Sequence, residues 1–149
     1  MTSIDNAINQ INHISEDLPE IIGLIAQRPS SNILKTLRWR LHSKGTDALG
    51  IKIGGGTYSL EHFMDKQNRG QENSHFTLFY DGGFYSSMVV ETRGRDIFID
   101  SKDSKTADLE ERYTNEILGL TESETDDFLT LHVEKEIIGM FEKIGDIEI

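Results

Sequence analysis

The chain has 149 residues, a length that predicts one domain large enough to bury a core. It contains no cysteine, which excludes disulfide bonds and thiolate metal sites. The formal net charge is −11, and residues 101–149 carry five basic and fourteen acidic side chains, so this part disfavours contact with nucleic-acid phosphates. No apolar run approaches the roughly 20 residues that span a bilayer, and residues 1–20 lack the pattern of a signal peptide. We therefore expect the protein to function in a cytoplasm or in a particle assembled there.

The first 45 residues are predicted to be helical. Ile4, Ile8, Ile11 and Ile14 recur near one face of a helix between Ser3 and Ser15, while most other positions in this segment are polar. One stripe of this helix should therefore be covered and the rest solvated.

Two further helices are predicted before residue 45. The sequence Asp17-Leu18-Pro19 indicates a new helix start, because proline is tolerated in a first turn, and Pro29 should end that helix. Ser30 or Ser31 would cap a third helix, which Gly45 terminates. The apolar side chains of this third helix should share one side: Ile33, Leu34, Leu37 and Leu41.

Between the third helix and the first extended segment we expect a turn and a loop. The glycines of 54–56 are not followed by the Lys-Ser or Lys-Thr of a phosphate-binding loop, so we interpret them as a turn. The segment from Asp65 to Asn73 is uniformly polar, and we expect it to be a long exposed loop and the most mobile internal segment.

Extended segments are predicted next. Phe76 to Tyr80 alternates apolar and polar residues, Phe84 to Thr92 is rich in aromatic and β-branched residues, and Arg95 to Asp100 forms a third run. Gly94 provides the positive φ that a tight hairpin between the last two runs requires.

The third run has two distinct faces. Ile97 and Ile99 should point to the core, whereas Asp96, Phe98 and Asp100 should point away from it.

The C-terminal third is predicted to be helical. A short helix is expected from Ala107 to Tyr113, and Thr121 with Glu124 forms a capping box that opens a long helix ending near Ile144. Its apolar stripe would comprise Leu129, Val133, Ile137, Met140, Phe141 and Ile144.

Together these elements predict an α+β fold: an antiparallel β-sheet with N-terminal helices and a long C-terminal helix packed against it. We expect a single domain with a helical part at 1–45, a sheet with loops at 46–120, the C-terminal helix at 121–145 and a tail at 146–149. The tail alternates like a strand.

Candidate chemistry is sparse. The five histidines share no metal-ligand spacing. Asp96, Asp100, Asp103 and Lys105 resemble the carboxylates and lysine of metal-dependent nuclease sites. However, Asp96 and Asp100 share a strand face with Phe98, which favours solvated charges at a strand edge. We therefore predict no catalytic residue, cofactor or metal, and the residues favour an assembly or binding module.

A basic cluster lies in the predicted third helix and its surroundings. It favours a solvated helix face or a docking patch for an acidic neighbour over nucleic-acid binding, because Trp39 is its one aromatic residue. The cluster comprises Arg28, Lys35, Arg38, Arg40 and Lys44.

Several short motifs follow one another along the chain: residues 41–50, 53–54, 58–59, Lys66, 76–78, 83–87, 97–99, 108–109, Tyr113 and 117–121. Their order resembles small proteins of phages and prophages of Bacteroidetes, including crAss-like phages, which belong loosely with the neck and tail-completion proteins of tailed phages. One departure is Tyr80-Asp81-Gly82-Gly83, where such proteins more often have Asp-Thr-Gly before the aromatic pair. The resemblance covers about residues 37–130.

The resemblance implies a structural virion protein that forms a ring in the phage neck between portal and tail and helps to retain or pass DNA. Its implied partners are copies of itself, the portal and other neck or tail proteins, and genomic DNA contacted without sequence specificity. Two alternatives stay open: a metal-dependent nucleic-acid enzyme using Asp96, Asp100 and Lys105, and a soluble phage-encoded module that binds a host protein. The expected subunit-interface residues are Ile4, Ile8, Ile11, Arg38, Arg40, Ile147 and Ile149.

Overall fold

The computed structural model describes residues 3–93 and 96–145. Its elements, in chain order, are α1 (Ser3–Gln27), α2 (Ser30–Ser43), a glycine turn (Ile53–Gly56), α3 (Leu60–Asn68), α4 (Gly83–Ser86), β1 (Met88–Arg93), β2 (Asp96–Ser101), α5 (Thr106–Tyr113), a 3₁₀ turn (Asn115–Leu118), α6 (Glu122–Phe128), a π-helical segment (Leu129–Glu134) and α7 (Lys135–Gly145). The α+β class is confirmed.

Within the described residues the sheet consists of β1 and β2, which pair antiparallel from Met88 opposite Ser101 to Arg93 opposite Asp96. The predicted turn at Gly94 lies outside the described residues. Ile97 and Ile99 are half-buried against the core and Phe98 is exposed, which confirms the two predicted faces of this strand.

The buried apolar residues of the described chain form two clusters. The first gathers α2, the glycine turn, α4 and the 3₁₀ turn around Leu37, Leu41, Phe84 and Ile117. The second brings α1, α2 and the C-terminal helix together through Ile25, Ile33, Phe128 and Val133. Ile99 of the hairpin contacts both clusters, so the sheet joins the two halves of the core.

The predicted break after Ser15 is wrong: α1 continues through Asp17-Leu18-Pro19 to Gln27. Proline in a helix removes one backbone hydrogen bond and costs about 3 kcal/mol. Ile21 and Ile25 pack in the second cluster of the core, and this packing stabilises the helix on the C-terminal side of the proline.

The third predicted helix is present as α2. Ile33, Leu37 and Leu41 are buried and Leu34 is half-buried, which confirms its apolar side. Capping by Ser30 or Ser31 is wrong, because Pro29 occupies the N-cap and its carbonyl accepts from the Asn32 amide at 2.9 Å.

The predicted strand at 76–80 is wrong, because side chains satisfy its backbone in place of a neighbouring strand. The Thr77 amide donates to the Tyr58 hydroxyl at 2.9 Å, and its carbonyl accepts from the Tyr85 hydroxyl. Leu78 adopts a φ of 58°, a left-handed conformation that ends extended structure.

The start of the next predicted strand is also wrong. Gly83–Ser86 forms a short helix, and the strand begins only at Met88. The Asp81 carboxylate accepts from the Gly83 amide at 2.8 Å and so fixes a turn where the apolar sequence favoured extended chain.

The predicted loop at 65–73 is wrong in its first half, since α3 extends to Asn68. Ser59 caps this helix by accepting from the His62 amide, and Lys66 is buried inside the molecule. The polar composition of residues 65–68 therefore predicted a loop, although these residues belong to a helix in which Lys66 faces the interior of the molecule.

The glycine turn confirms the interpretation of 54–56 as a turn. Gly54 has a φ of 60°, and a Cβ atom there would lie 2.7 Å from the Phe76 ring. Glycine is thus required both for the backbone and for close packing.

The predicted long C-terminal helix is confirmed, since the chain is helical from Glu122 to Gly145, but its buried side differs from the predicted stripe. Thr121 and Glu124 form the predicted capping box, and the short helix before it is confirmed as α5. The predicted stripe is wrong for Leu129 and Phe141, which are exposed, whereas Phe128 is buried. The π-helical segment takes more residues per turn than an α-helix, which rotates the buried side by about one residue.

None of the helices within residues 3–93 and 96–145 combines the length and the apolar content that crossing a bilayer requires.

Candidate interaction surface

The N-terminal half of α1 carries an uncovered row of isoleucines. Ile4, Ile8 and Ile11 are 49%, 50% and 40% exposed. Every described side chain between residues 4 and 17 is exposed, apart from the half-buried Ala7. We call Ile4, Ile8 and Ile11 the isoleucine ridge.

The ridge continues a stripe that is covered further along the same helix. Leu18 and Ile21 are half-buried, and Ile25 is 2% exposed. This second half of α1 contacts the π-helical segment, α7 and β1, where Ile25 packs with Val133 and Phe128. The apolar stripe therefore runs along the whole helix in the sequence, whereas other elements of the protein pack on its second half.

A second apolar surface lies on α3, and we call it the α3 face. Leu60 is 74% exposed, and Phe63 and Met64 are also exposed. Positions i, i+3 and i+4 share one side of a helix, so these three side chains form one patch. The same helix buries Lys66, so its polarity is the reverse of that of an ordinary surface helix.

The buried lysine is held by polar groups of the segment at 76–80. Its Nζ atom donates to the Thr77 hydroxyl at 3.2 Å and to the Phe79 carbonyl at 2.6 Å, and it lies 5.0 Å from the centre of the Tyr58 ring. The Tyr85 hydroxyl donates to the carbonyl of the same Thr77, and burial of this hydroxyl raises the pKa of Tyr85 well above its usual range. These contacts explain why α3 turns its lysine inward and its apolar residues outward.

The two arginines predicted at a subunit interface occupy different environments. Arg38 is half-buried and its Nη2 atom donates to the Tyr85 carbonyl at 2.6 Å. Arg40 does not lie on the surface: it is 2% exposed, and its Nη1 atom pairs with the Glu124 carboxylate. A solvated helix face therefore does not describe the whole basic cluster.

The remaining contacts of Arg40 join distant parts of the chain. Its Nε atom donates to the Thr46 carbonyl at 3.1 Å, and its Nη2 atom donates to the Gly119 carbonyl at 2.6 Å. Glu124 also accepts from the Thr121 amide at 2.9 Å as part of the capping box. Arg40 is thus an internal structural residue.

The acidic residues of the enzyme alternative are not brought together as a site. Asp96 and Asp100 lie at opposite ends of β2, four residues or about 13 Å apart. Lys105 bonds to Asp81 at 3.2 Å, and the Asp100 carboxylate accepts from the adjacent Ser101 amide at 2.7 Å. Within residues 3–93 and 96–145, no group of three or more histidine or acidic side chains is placed to hold a metal ion.

Two other predicted interface residues, Ile147 and Ile149, lie outside the described residues. Sequence reasoning identified the isoleucine ridge by its spacing but missed the α3 face. The signal was present, because Leu60, Phe63 and Met64 have helical spacing, but the polar residues that follow favoured a loop.

No protein family, no curated protein and no solved structure matches this chain. The resemblance to phage neck proteins therefore rests on the short motifs in the sequence.

Proposed function

We propose that this protein is a structural assembly subunit that joins copies of itself through the isoleucine ridge. The observation that carries the proposal is the exposure of Ile4, Ile8 and Ile11 on a helix whose second half is covered. Covering an aliphatic side chain of this size contributes about 1–2 kcal/mol when it starts half-exposed.

A ring requires two different surfaces on each subunit, because a head-to-tail contact closes a cyclic assembly only when unlike patches meet. The isoleucine ridge and the α3 face are two such apolar patches on different helices. In the proposed ring, the ridge of one copy packs on the α3 face of the next copy.

The sequence resemblance extends this proposal to the neck of a tailed phage, between portal and tail. The formal net charge of −11 supports this role, since an acidic lumen repels the passing DNA and keeps it from adhering. The proposal assigns the protein no catalytic activity, and its location would be the virion after assembly in the host cytoplasm.

The test uses two variants that each disable one surface. Ile4→Lys with Ile8→Lys removes the ridge, and Leu60→Lys with Met64→Lys removes the α3 face. We expect each variant alone to be monomeric by mass measurement, with the thermal midpoint that the parent shows when it is diluted to a monomer, because assembly itself stabilises the folded subunit. Mixed together they should form a dimer and nothing larger, because one intact ridge and one intact α3 face remain.

Two other outcomes would contradict part or all of this proposal. If the α3 variant assembles like the parent while the ridge variant does not, the contact is a symmetric ridge-to-ridge pair and the head-to-tail ring is wrong. If the parent protein stays monomeric both alone and with the portal protein, the assembly proposal itself is wrong.

A further inference from the structure

A groove lies along the outer edge of β2. It has a volume of about 600 Å³, which falls in the range of small ligand sites. Four consecutive residues of β2, residues 97–100, line it, but β1 contributes only Glu91. Consecutive strand residues alternate between faces, so a cavity that touches four in a row lies along the edge of the strand.

The edge that faces this groove has no strand beside it in the part of the chain that the structure describes. A strand edge presents backbone donors and acceptors that an additional strand can pair with. The opposite wall comes from α5, the 3₁₀ turn, Gly119, Leu120, α6 and the start of the π-helical segment. The groove therefore lies between this wall and the edge of β2 that has no strand beside it among the described residues.

The floor of the groove is apolar. Ile97 and Ile99 line one side, and Leu118, Leu120 and Phe128 line the other. An extended peptide repeats its side chains every two residues, so alternate apolar residues of a bound strand would meet this floor.

The ionisable residues that line the groove are Glu91, Asp100 and Glu110, all of which are acidic. Lys102 bonds to Glu91 at 3.0 Å. This bond, reinforced by the carboxylate charge, raises the pKa of the lysine. The groove thus already holds one carboxylate with an ammonium group at its margin.

We propose that the groove binds an extended segment of a partner protein in which basic and aliphatic residues alternate, and that this segment pairs with the edge of β2 as a third strand. The basic residues would meet Asp100 and Glu110, and the aliphatic residues would pack on Ile97, Ile99 and Leu120. This surface is separate from the isoleucine ridge and from the α3 face.

The charge of the groove selects against this chain's own tail. Residues 146–149 also alternate, but their polar members are Asp146 and Glu148. Like charges placed opposite each other across strands are destabilising. The occupant is therefore a basic segment of another protein, and the tail of a second copy is the competing outcome.

The experiment measures binding of fluorescent ten-residue peptides to the full chain by anisotropy. The first probe alternates lysine and valine, the second alternates glutamate and valine, and the third is the lysine probe with alternate backbone nitrogens methylated. A fourth probe carries the sequence of residues 146–149 at its end. We expect the lysine probe to bind, and the other three to bind at least tenfold more weakly.

Matched variants assign the binding to this groove. Asp100→Asn with Glu110→Gln should weaken binding of the lysine probe about tenfold, because two partly exposed ion pairs are lost. Glu122→Gln with Asp126→Asn makes the same change of charge on α6 and should leave the affinity unchanged. If both double variants weaken binding equally, the attraction reflects net charge alone and the proposed site is wrong.

The remaining outcomes are equally decisive. Equal binding of the methylated and unmethylated probes contradicts strand pairing, and absence of binding by the lysine probe contradicts the proposal as a whole. Tighter binding of the tail probe would assign the groove to a second copy of this chain and overturn the proposed basic partner. None of these results depends on whether the isoleucine ridge assembles.

Discussion

The two halves of α1 share one sequence pattern and differ in their surroundings. Ile4, Ile8 and Ile11 continue the spacing of the residues that lead to Ile25, yet the first three are 40–50% exposed and Ile25 is 2% exposed. Helical periodicity identifies the side of a helix that needs cover. It does not identify whether the chain itself or another molecule provides that cover, and this difference separates the core of the protein from its candidate interaction surface.

The largest effect that tests this comparison comes from one truncation made in each half. Ile25→Ala should lower the free energy of unfolding by about 2–5 kcal/mol, because it removes buried methyl groups and leaves a cavity. At concentrations where the parent is monomeric, the matched Ile8→Ala variant should stay within about 0.5 kcal/mol of the parent, since an exposed side chain leaves no cavity. Urea denaturation followed by circular dichroism measures both. Equal losses would mean that the ridge belongs to the core of the isolated subunit.

An intermediate effect is expected from α3, where Lys66 is buried and the apolar residues of the α3 face are exposed. Lys66→Ala should cost about 1–3 kcal/mol, because the Thr77 hydroxyl and the Phe79 carbonyl lose a buried donor. Leu60→Ala removes a 74% exposed side chain and should change stability by less than about 0.5 kcal/mol. Urea denaturation followed by circular dichroism measures the free energy of unfolding of both variants. A larger loss for Leu60→Ala than for Lys66→Ala would contradict the inverted orientation of the helix.

The smallest change in stability is expected from a deletion at the N-terminus, although this removes more of the chain than any substitution. Deleting residues 1–16 should leave the melting temperature of the isolated subunit nearly unchanged, since the described side chains it removes are mostly exposed. Helical signal should fall in proportion to the lost turns, and Asp17 would then start the helix with Pro19 in its first turn.

If the proposed neck function is right, the same deletion should also abolish incorporation into phage particles, seen as particles that lose DNA or lack tails. Deleting residues 146–149 should likewise spare the melting temperature of the subunit. A deletion of either end that unfolds the subunit would show that this end belongs to its own core.

Local patterns predicted the elements whose determinants lie within a few residues of each other. The alternation at Ile97 and Ile99 correctly gave the inward face of the second strand, and Thr121 with Glu124 correctly marked the start of a helix. The apolar side of α2 followed from Ile33, Leu37 and Leu41. In each case one short segment contains both the pattern and its cause.

Other features depend on residues far away in the sequence. Residues 76–80 read as a strand, but side chains from residues 58, 66 and 85 bind their backbone and so remove the need for a neighbouring strand. The exposure of Leu129 depends on a π-helical segment, which has no clear signature in a single sequence. The groove beside β2 was not foreseen because its two walls come from separate elements, which no local window contains.

The contacts of Arg40 have a consequence for how the chain folds. Its carboxylate partner is 84 residues away and its carbonyl partner at Gly119 is 79 residues away, so the first and last thirds of the chain must meet before this guanidinium is satisfied. Closing so long a loop costs conformational entropy before the contacts of Arg40 can form. Contacts between residues so far apart in the sequence therefore slow folding. A partly folded chain that had buried Arg40 without Glu124 would hold an uncompensated cation in its interior. We therefore expect α2 and the C-terminal helix to become native in one step, late in folding, with neither persisting as a structured intermediate in the absence of the other.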